Sequence, residues 1–486
     1  MIAVANELLD HTFAQRDQRA LVAIDLGAES CRVSLLRWSP AGPEISLVHR
    51  FPNHATIRNG ELRWALNSIL GELSRGLRLC ADMAKEGIRS IGVDGWAVDY
   101  VRLDRNGRAL ADPFSYRDER TIASERDVHA LLAAERMREI TGVQLLRINT
   151  VYQLFADGTE LRSRPWLNLP EYVLHWLGGR PVAERTNASH TQLLGMDGSW
   201  SREVFSAIRL EIGNAPDVVP AGTDLGQLRG DLATLPAFEH TRLIAPACHD
   251  TASAVASIAD DAEDWAYLSS GTWSLVGALV ESPINSASAV SANFTNLASA
   301  DGRTCLHKSV NGLWLLRQCM EQWSAAGLTL SLDEIVEAAS VAAPCADLLD
   351  VDDPDLLLQG DMPHRIGQQL RRRGLSVLSS SPEDAPKMAS LIFRSLAGRY
   401  AEVLAQLELL TGRHFRRLYI LGGGSRNSFL NRLTEQATGL KVIPAESESS
   451  TLGNFAIQCA ALDRESGDAT SSMRKAIHNW ATRLQT

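Results

Sequence analysis

The sequence predicts two α/β domains, each built on a mixed sheet flanked by helices, facing each other across a cleft. Three observations lead there. A buried strand that turns and resumes, Ala20 to Ser34 (A-L-V-A-I-D-L-G-A-E-S-C-R-V-S), has a counterpart at Trp265 to Leu279, where a small polar turn again separates two strands. Asn59-Gly60 and Asn106-Gly107 each lie between strand-like runs, the strongest short hairpin signal, so antiparallel pairs are expected. The acidic run Asp260-Asp261-Ala262-Glu263-Asp264, read as a solvated loop, marks a boundary between the two halves. The expected division is an N-terminal extension over 1–20, a first domain over 21–258 and a second over 259–486.

The elements follow in order. Asn67 to Lys85 carries apolar residues at helical spacing, and Ile88 to Val101 returns to a strand pattern. After the boundary, Gly271 falls at a tight strand-to-strand turn, and Asn311 to Trp323 reads as a helix. Ser379 to Ala385 is a surface turn. Lys387 to Gly412 is a long amphipathic helix leading into the strand Leu418 to Leu421. A glycine turn, Gly422 to Asn427, then opens the helix Phe429 to Ala437.

Composition narrows the function classes. A chain of 486 residues holds two or three domains, and 45% hydrophobic with 22% charged residues is ordinary for a soluble protein. A net charge of -10 without a basic stripe argues against nucleic acid and toward a small-molecule substrate. Seven scattered cysteines (Cys31, Cys80, Cys248, Cys305, Cys319, Cys345 and Cys459) contain no C-x-x-C pair, so neither a disulfide framework nor a zinc site is indicated. The first twenty residues lack the apolar core of a signal peptide, and no run of about eighteen apolar residues exists. A cytoplasmic location without membrane attachment is expected, which makes the sequons at Asn187 and Asn293 chance matches.

Four segments could carry chemistry. His249-Asp250-Thr251 precedes a small-residue helical run; Asp250 reads either as a helix N-cap or as a general base facing a substrate hydroxyl. The turn Ser270-Gly271-Thr272 offers hydroxyls and backbone N–H groups to an anion, or is an ordinary hairpin. Asp25, ending a strand before Leu26-Gly27-Ala28, is a turn aspartate or a carboxylate for Mg²⁺ or its waters. Gly422-Gly423-Gly424-Ser425-Arg426-Asn427 lets a base or ribose approach the backbone at a helix N-terminus, or is a tight link alone; it is neither a Rossmann nor a P-loop pattern. Trp96, within Asp94 to Tyr100, is either core or a sugar-stacking face.

With these residues in view, the chain resembles the FGGY family of carbohydrate kinases. The likeness runs from about Leu21 to about Ala461. It is carried by Asp25 to Arg32, Ile91 to Tyr100, Tyr116 to Thr121, Thr141 to Gln144, Asn149 to Leu154 and Thr186 to Leu193 (T-N-A-S-x-T-Q-L). Further matches are His249 to Val255, Tyr267 to Leu275, Gly312 to Leu316, Gly422 to Asn427 and Ser450 to Asn454. The resemblance implies two actin-like, ribonuclease H-like domains, sugar mainly on the first and ATP mainly on the second. It also implies ATP-dependent phosphorylation of a ketose at its 1-hydroxyl, with L-rhamnulose the first choice and another deoxyketose or a pentulose the alternative. Asp250 would be the base, with Ala97, His249, Thr251 and Ser309 at the sugar. Ala28, Glu29, Ser30, Cys31, Arg32, Thr272, Arg317 and Gly423 would meet ATP, and Asp25 would sit near Mg²⁺. A monomer or homodimer is expected.

Four of those positions depart from the family's pattern. Cys31 and Ala97 each stand for a glycine, Ser309 for an asparagine and Arg317 for a glutamine; the usual G-P-V-E-A stretch reads Ala445 to Ser449. Two departures lie at sugar contacts, so a lost hydrogen bond there changes which ketose is preferred. Together they also raise the reading of a non-catalytic sugar- or nucleotide-binding protein.

Overall fold

The computed structural model describes residues 17–343, 347–358, 360–445, 448–465 and 472–485. Cys345, most of the 1–20 extension and part of the Ala445 to Ser449 stretch lie outside them.

Two six-stranded sheets organise the chain, and they share one plan. The first contains β1 (Ala20–Leu26), β2 (Ser30–Ser39), β3 (Gly42–Pro52), β4 (Ile88–Gly95), β5 (Thr223–Gln227) and β6 (Arg242–Ala245), in the order β5-β6-β4-β1-β2-β3. The second contains β7 (Trp265–Ser270), β8 (Trp273–Val280), β9 (Thr295–Ala298), β10 (Thr304–Asn311), β11 (Arg417–Leu421) and β12 (Lys441–Pro444), in the order β9-β10-β8-β7-β11-β12. In each, a central strand (β1 or β7) pairs antiparallel with the strand that follows its small turn. On its other side it pairs parallel with a later strand, β4 or β11. Five consecutive positions therefore repeat in the same sense. Each sheet adds one antiparallel edge strand, at opposite ends.

Burial explains the strand pattern. All seven residues of β1 are buried, the continuous apolar run expected of a strand covered on both faces. On one face the helix Leu66–Met83 packs Leu73, Leu77 and Cys80 against Val22, Ile24 and Val33. Each such fully buried aliphatic side chain contributes about 1.5–3 kcal/mol. The other face is covered from the far end of the sequence, by the helices Ser449–Glu465 and Met473–Arg483, whose Phe455, Ile457 and Trp480 pack with Leu21, Ala23 and Ile244. In the second lobe the long helix Ala385–Thr411 plays the covering role and ends at Gly412, left-handed at φ 66°.

The crossing of Ser449–Glu465 over the first lobe is tight. A side chain at Gly453 would begin 1.7 Å from the Ser253 carbonyl oxygen, and one at Gly92 would begin 2.4 Å from Oδ1 of Asn454. Gln458 donates to the Val22 carbonyl at 3.0 Å and accepts from Ser90 at 2.6 Å.

Several sequence expectations change here. The strand expected over Ile88 to Val101 stops at Gly95, and Tyr100–Arg102 pairs instead with Trp166–Asn168. The break falls where Val98 takes φ 72°, a conformation that costs a β-branched residue energy. Asn59-Gly60 does turn a hairpin, whereas Asn106-Gly107 closes only a single bridge between Leu103 and Ala109. The helix expected from Asn311 starts at Trp314, because β10 continues through Asn311. The acidic run is not simply solvated: Asp260 and Asp264 both bind the Arg417 guanidinium, and Asp260 also accepts from the Tyr419 hydroxyl.

Candidate active site

The strand ends of both sheets converge on the cleft. Asp25 is the penultimate residue of β1 and stands in parallel register with Asp94 on β4, while β6 ends at Ala245, four residues before His249, which Asp250 follows. Three carboxylates thus sit at the ends of three neighbouring strands.

Asp250 is the first residue of the helix Asp250–Ala256, and the cap position belongs to His249, which makes no side-chain cap. The N-cap reading therefore falls. The carboxylate instead accepts from the Thr251 hydroxyl at 3.2 Å and lies 3.4 Å from Nε2 of His249, with 34% of its side chain exposed. Its deep position and the charge of Asp25 push its carboxyl up to about 7. A carboxyl tuned there is half ready to take a proton near neutral pH. Asp94, fully enclosed and held by Asn454 at 2.7 Å, is raised well above the carboxylate range, chiefly by burial and secondarily by Asp25.

Asp25 is pinned rather than loose. Arg32 donates to it at 3.1 Å and Ser450 at 2.8 Å, and Arg32 also pairs with Glu448 at 3.2 Å. Among the described residues, no three His, Cys, Asp or Glu side chains are grouped to hold a metal by themselves. A single fixed carboxylate fits Mg²⁺, which takes few protein ligands and leaves most of its octahedron to other oxygens.

The turns expected at ATP are brought together across the cleft. Thr272, on the β7–β8 turn, donates to Glu29, on the β1–β2 turn, at 2.6 Å, and Arg317 pairs with the same carboxylate. Gly27 permits the first turn, since a side chain there would begin 2.4 Å from the Ser30 carbonyl oxygen. Cys31 turns inward: it is buried in the first core, its thiol is pushed up by burial, and it donates to the Gly27 carbonyl at 3.7 Å. Only its backbone can face a phosphate. In the third turn the close approach belongs to Gly424, where a side chain would begin 2.0 Å from Oγ of Ser270, while a side chain at Gly423 would enter open space.

The sugar-side candidates sit on a hydrogen-bonded wall. Trp96 and Trp64 pack at a tilt of 46° with centroids 4.6 Å apart, and both indole N–H groups donate to Asp99, so Trp96 is core. Ala97 follows it, half-buried. Ser309 is tied through its backbone: its N–H donates to the Gln144 side chain at 2.9 Å, and Gln144 donates back to its carbonyl at 3.2 Å. Arg117 lies 3.6 Å above the Trp314 ring of the other lobe.

Two residues behind this wall were not singled out from sequence. Glu184, fully buried, caps Thr186 and accepts from the Cys248 N–H at 2.9 Å, while the Thr186 hydroxyl accepts from the His249 N–H at 3.3 Å. Burial pushes its carboxyl up to about 7. His190 places Nε2 3.1 Å from Nδ1 of His249. Glu184 lies two residues before the conspicuous T-N-A-S run, and His190 occupies its variable position; only that proximity could have pointed to them.

Two lobes of one topology, with a carboxylate row and three small-residue turns at their facing strand ends, form the frame of a two-lobed sugar phosphotransferase. The chain belongs to the FGGY family of carbohydrate kinases: the family's N-terminal domain matches residues 20–257 and its C-terminal domain residues 266–462. It is similar to the rhamnulokinase of Pectobacterium carotovorum subsp. carotovorum, 36% identical over 452 residues, 91% of this chain and 88% of that protein. Likewise it is 33% identical to the rhamnulokinase of Ligilactobacillus salivarius over 443 residues, 90% of each. Among solved structures, the ligand-bound xylulose kinase of Lactobacillus acidophilus superposes with a TM-score of 0.73 at 14% identity, covering 96% of this chain and 95% of that one. Plasmodium falciparum glycerol kinase with ADP gives 0.72 at 13%, covering 95% and 92%. These bear out the two-domain fold and an ATP-dependent sugar kinase. Among the described residues, no helix is long and apolar enough to cross a membrane.

Proposed function

We propose that this kinase transfers the γ-phosphoryl group of ATP to the 1-hydroxyl of a ketose, converting L-rhamnulose to L-rhamnulose 1-phosphate. The observation that carries the reading is Asp250: a partly open carboxylate at the base of the cleft, tuned to about 7 and flanked by His249 and Thr251. Similarity to rhamnulokinases along about 90% of the chain supports the choice of sugar.

In this reading Asp250 takes the hydroxyl proton as the sugar oxygen bonds to phosphorus and the bond to ADP breaks. Little covalent work falls to the protein, so alignment, charge neutralisation and one base suffice. His249, Thr251 and Ala97 of the first lobe hold the sugar, with Ser309 reaching it from the second. The backbone of Ala28 to Arg32, with Thr272, Arg317 and Gly423, receives ATP. Asp25 would hold Mg²⁺ or its waters, and the cation would supply charge to offset that of the phosphates. The domain division at 258/259, a cytoplasmic site of action and a monomeric or homodimeric state belong to the same proposal.

A second reading, a kinase for another deoxyketose or a pentulose, is favoured by Ala97 and Ser309 standing where the family pattern has glycine and asparagine. Coupled ADP release over a ketose panel tests both. L-rhamnulose should give the highest kcat/KM; a tenfold preference for another ketose would replace it.

A further inference from the structure

His190 stands between His249 and the second lobe. Its ring meets that of His249 at 4.0 Å between centroids and 61° between planes, with Nε2 3.1 Å from Nδ1 of His249. Behind it, 6.5 Å away, is His307 on β10, held at 2.9 Å by the Tyr267 hydroxyl. The residue before it, Ser189, accepts from the backbone N–H of Ala298 in the second lobe at 3.1 Å. His190 is therefore anchored along the seam between the lobes.

The two ring nitrogens of His249 face different partners. Nδ1 faces His190 and Nε2 faces Asp250 Oδ1 at 3.4 Å. A neutral imidazole carries one proton, so one nitrogen donates and the other accepts. An ionised Asp250 can only accept. Were the His249 proton on Nδ1, a lone pair on Nε2 would point at a carboxylate oxygen.

We propose that His190 is a positioning residue: its Nε2–H donates to Nδ1 of His249 and fixes His249 with the proton on Nε2, where it meets Asp250 and the sugar oxygen. Deep burial favours this by keeping both rings neutral, His249 well below the usual imidazole range and His190 near 3. The inference rests on the reading of His249 and Asp250 as the sugar end of the site. An unfixed imidazole would populate both tautomers, and the molecules protonated on Nδ1 would present a lone pair to a hydroxyl they should hold.

The test uses the full chain as wild type, His190→Ala and His190→Gln, the last keeping an amide donor. Two-bond ¹H–¹⁵N spectra of ¹⁵N-histidine protein without ligand should show His249 protonated at Nε2 in wild type and His190→Gln, and mixed in His190→Ala. In steady-state kinetics His190→Ala should raise the ketose KM about tenfold, leave the ATP KM within twofold, and be largely rescued in His190→Gln. An Nδ1-protonated His249 in wild type would overturn the proposal. So would equal losses in the two variants, or a parallel rise of the ATP KM. If wild type phosphorylates no ketose, the functional reading fails, and the spectra still decide the role of His190.

Discussion

The Thr272 hydroxyl donates a 2.6 Å hydrogen bond to Glu29, so the small turn of one lobe grips the equivalent turn of the other. Arg317 joins the same carboxylate, with side-chain exposures of 39% for Arg317 and 45% for Glu29. Pairs this open are worth about 0–1 kcal/mol, too little to lock the lobes. In the proposed reading they occupy the Thr272 and Arg317 donors that would receive the triphosphate, with a like charge in its path. Glu29→Gln should therefore lower the ATP KM about threefold, a gain of under ~1.4 kcal/mol, with kcat little changed. A raised ATP KM in coupled ADP release would show that Glu29 recruits the nucleotide rather than competing with it.

Asp250 supports expectations in both rate and stability. Asp250→Asn should lower kcat by about 10²–10⁴ while the ketose KM moves little. In wild type, kcat/KM should rise with pH through about 7 as the carboxyl loses its proton. The stability sign follows from the raised value: the folded protein keeps this proton to about 7, whereas the unfolded chain releases it near 3.9. The contribution is thus fully present below about pH 4 and lost as pH rises through 7. Asp250→Asn should melt higher than wild type at pH 8, and the gap should close toward pH 4. Near-normal turnover of the variant would remove Asp250 from the chemistry.

Gly423 and Gly424 separate ligand approach from folding. A methyl at 424 would begin 2.0 Å from Oγ of Ser270 and 2.9 Å from its carbonyl oxygen, whereas at 423 it meets nothing within 4 Å. Gly424→Ala should lower the melting temperature by several degrees, a cost of about 1–3 kcal/mol for overpacking. Gly423→Ala should leave melting unchanged and raise the ATP KM. Equal melting temperatures would mean that the β7 turn yields freely.

The strand-turn-strand repeat was legible because β1 opens on the apolar run Ala20 to Ile24 and β7 on Trp265 to Leu268, and their turns need small residues whatever surrounds them. Three-dimensional partnership was not. The N-cap and general-base readings of Asp250 use the same residue type, and only the cap falling at His249 separates them. Cys31 looked like a phosphate-turn substitution because spacing does not say which way a side chain points. His190 and Glu184 act on residues about 60 positions away, through a hydrogen bond and a buried cap that no local pattern encodes.

Asp25 gives the last expectation. Its carboxylate is held by Arg32 and Ser450, donors from two distant parts of the chain, so its direction toward the cleft is fixed before any cation arrives. Such fixing lowers the cost of binding, and Mg²⁺, reluctant to shed water, benefits most from one well-placed charge. Asp25→Asn keeps the shape and the Ser450 acceptor but removes the charge, and it should raise the Mg²⁺ concentration for half-maximal rate about tenfold or more. Ser450→Ala leaves the charge and frees its direction, so a smaller rise is expected. Electron paramagnetic resonance of Mn²⁺ titrated into protein with ADP reads the metal directly, and the affinities should fall in the order wild type, Ser450→Ala, Asp25→Asn. Unchanged Mn²⁺ binding in Asp25→Asn would place the metal on the phosphates alone and leave Asp25 as an anchor for Arg32.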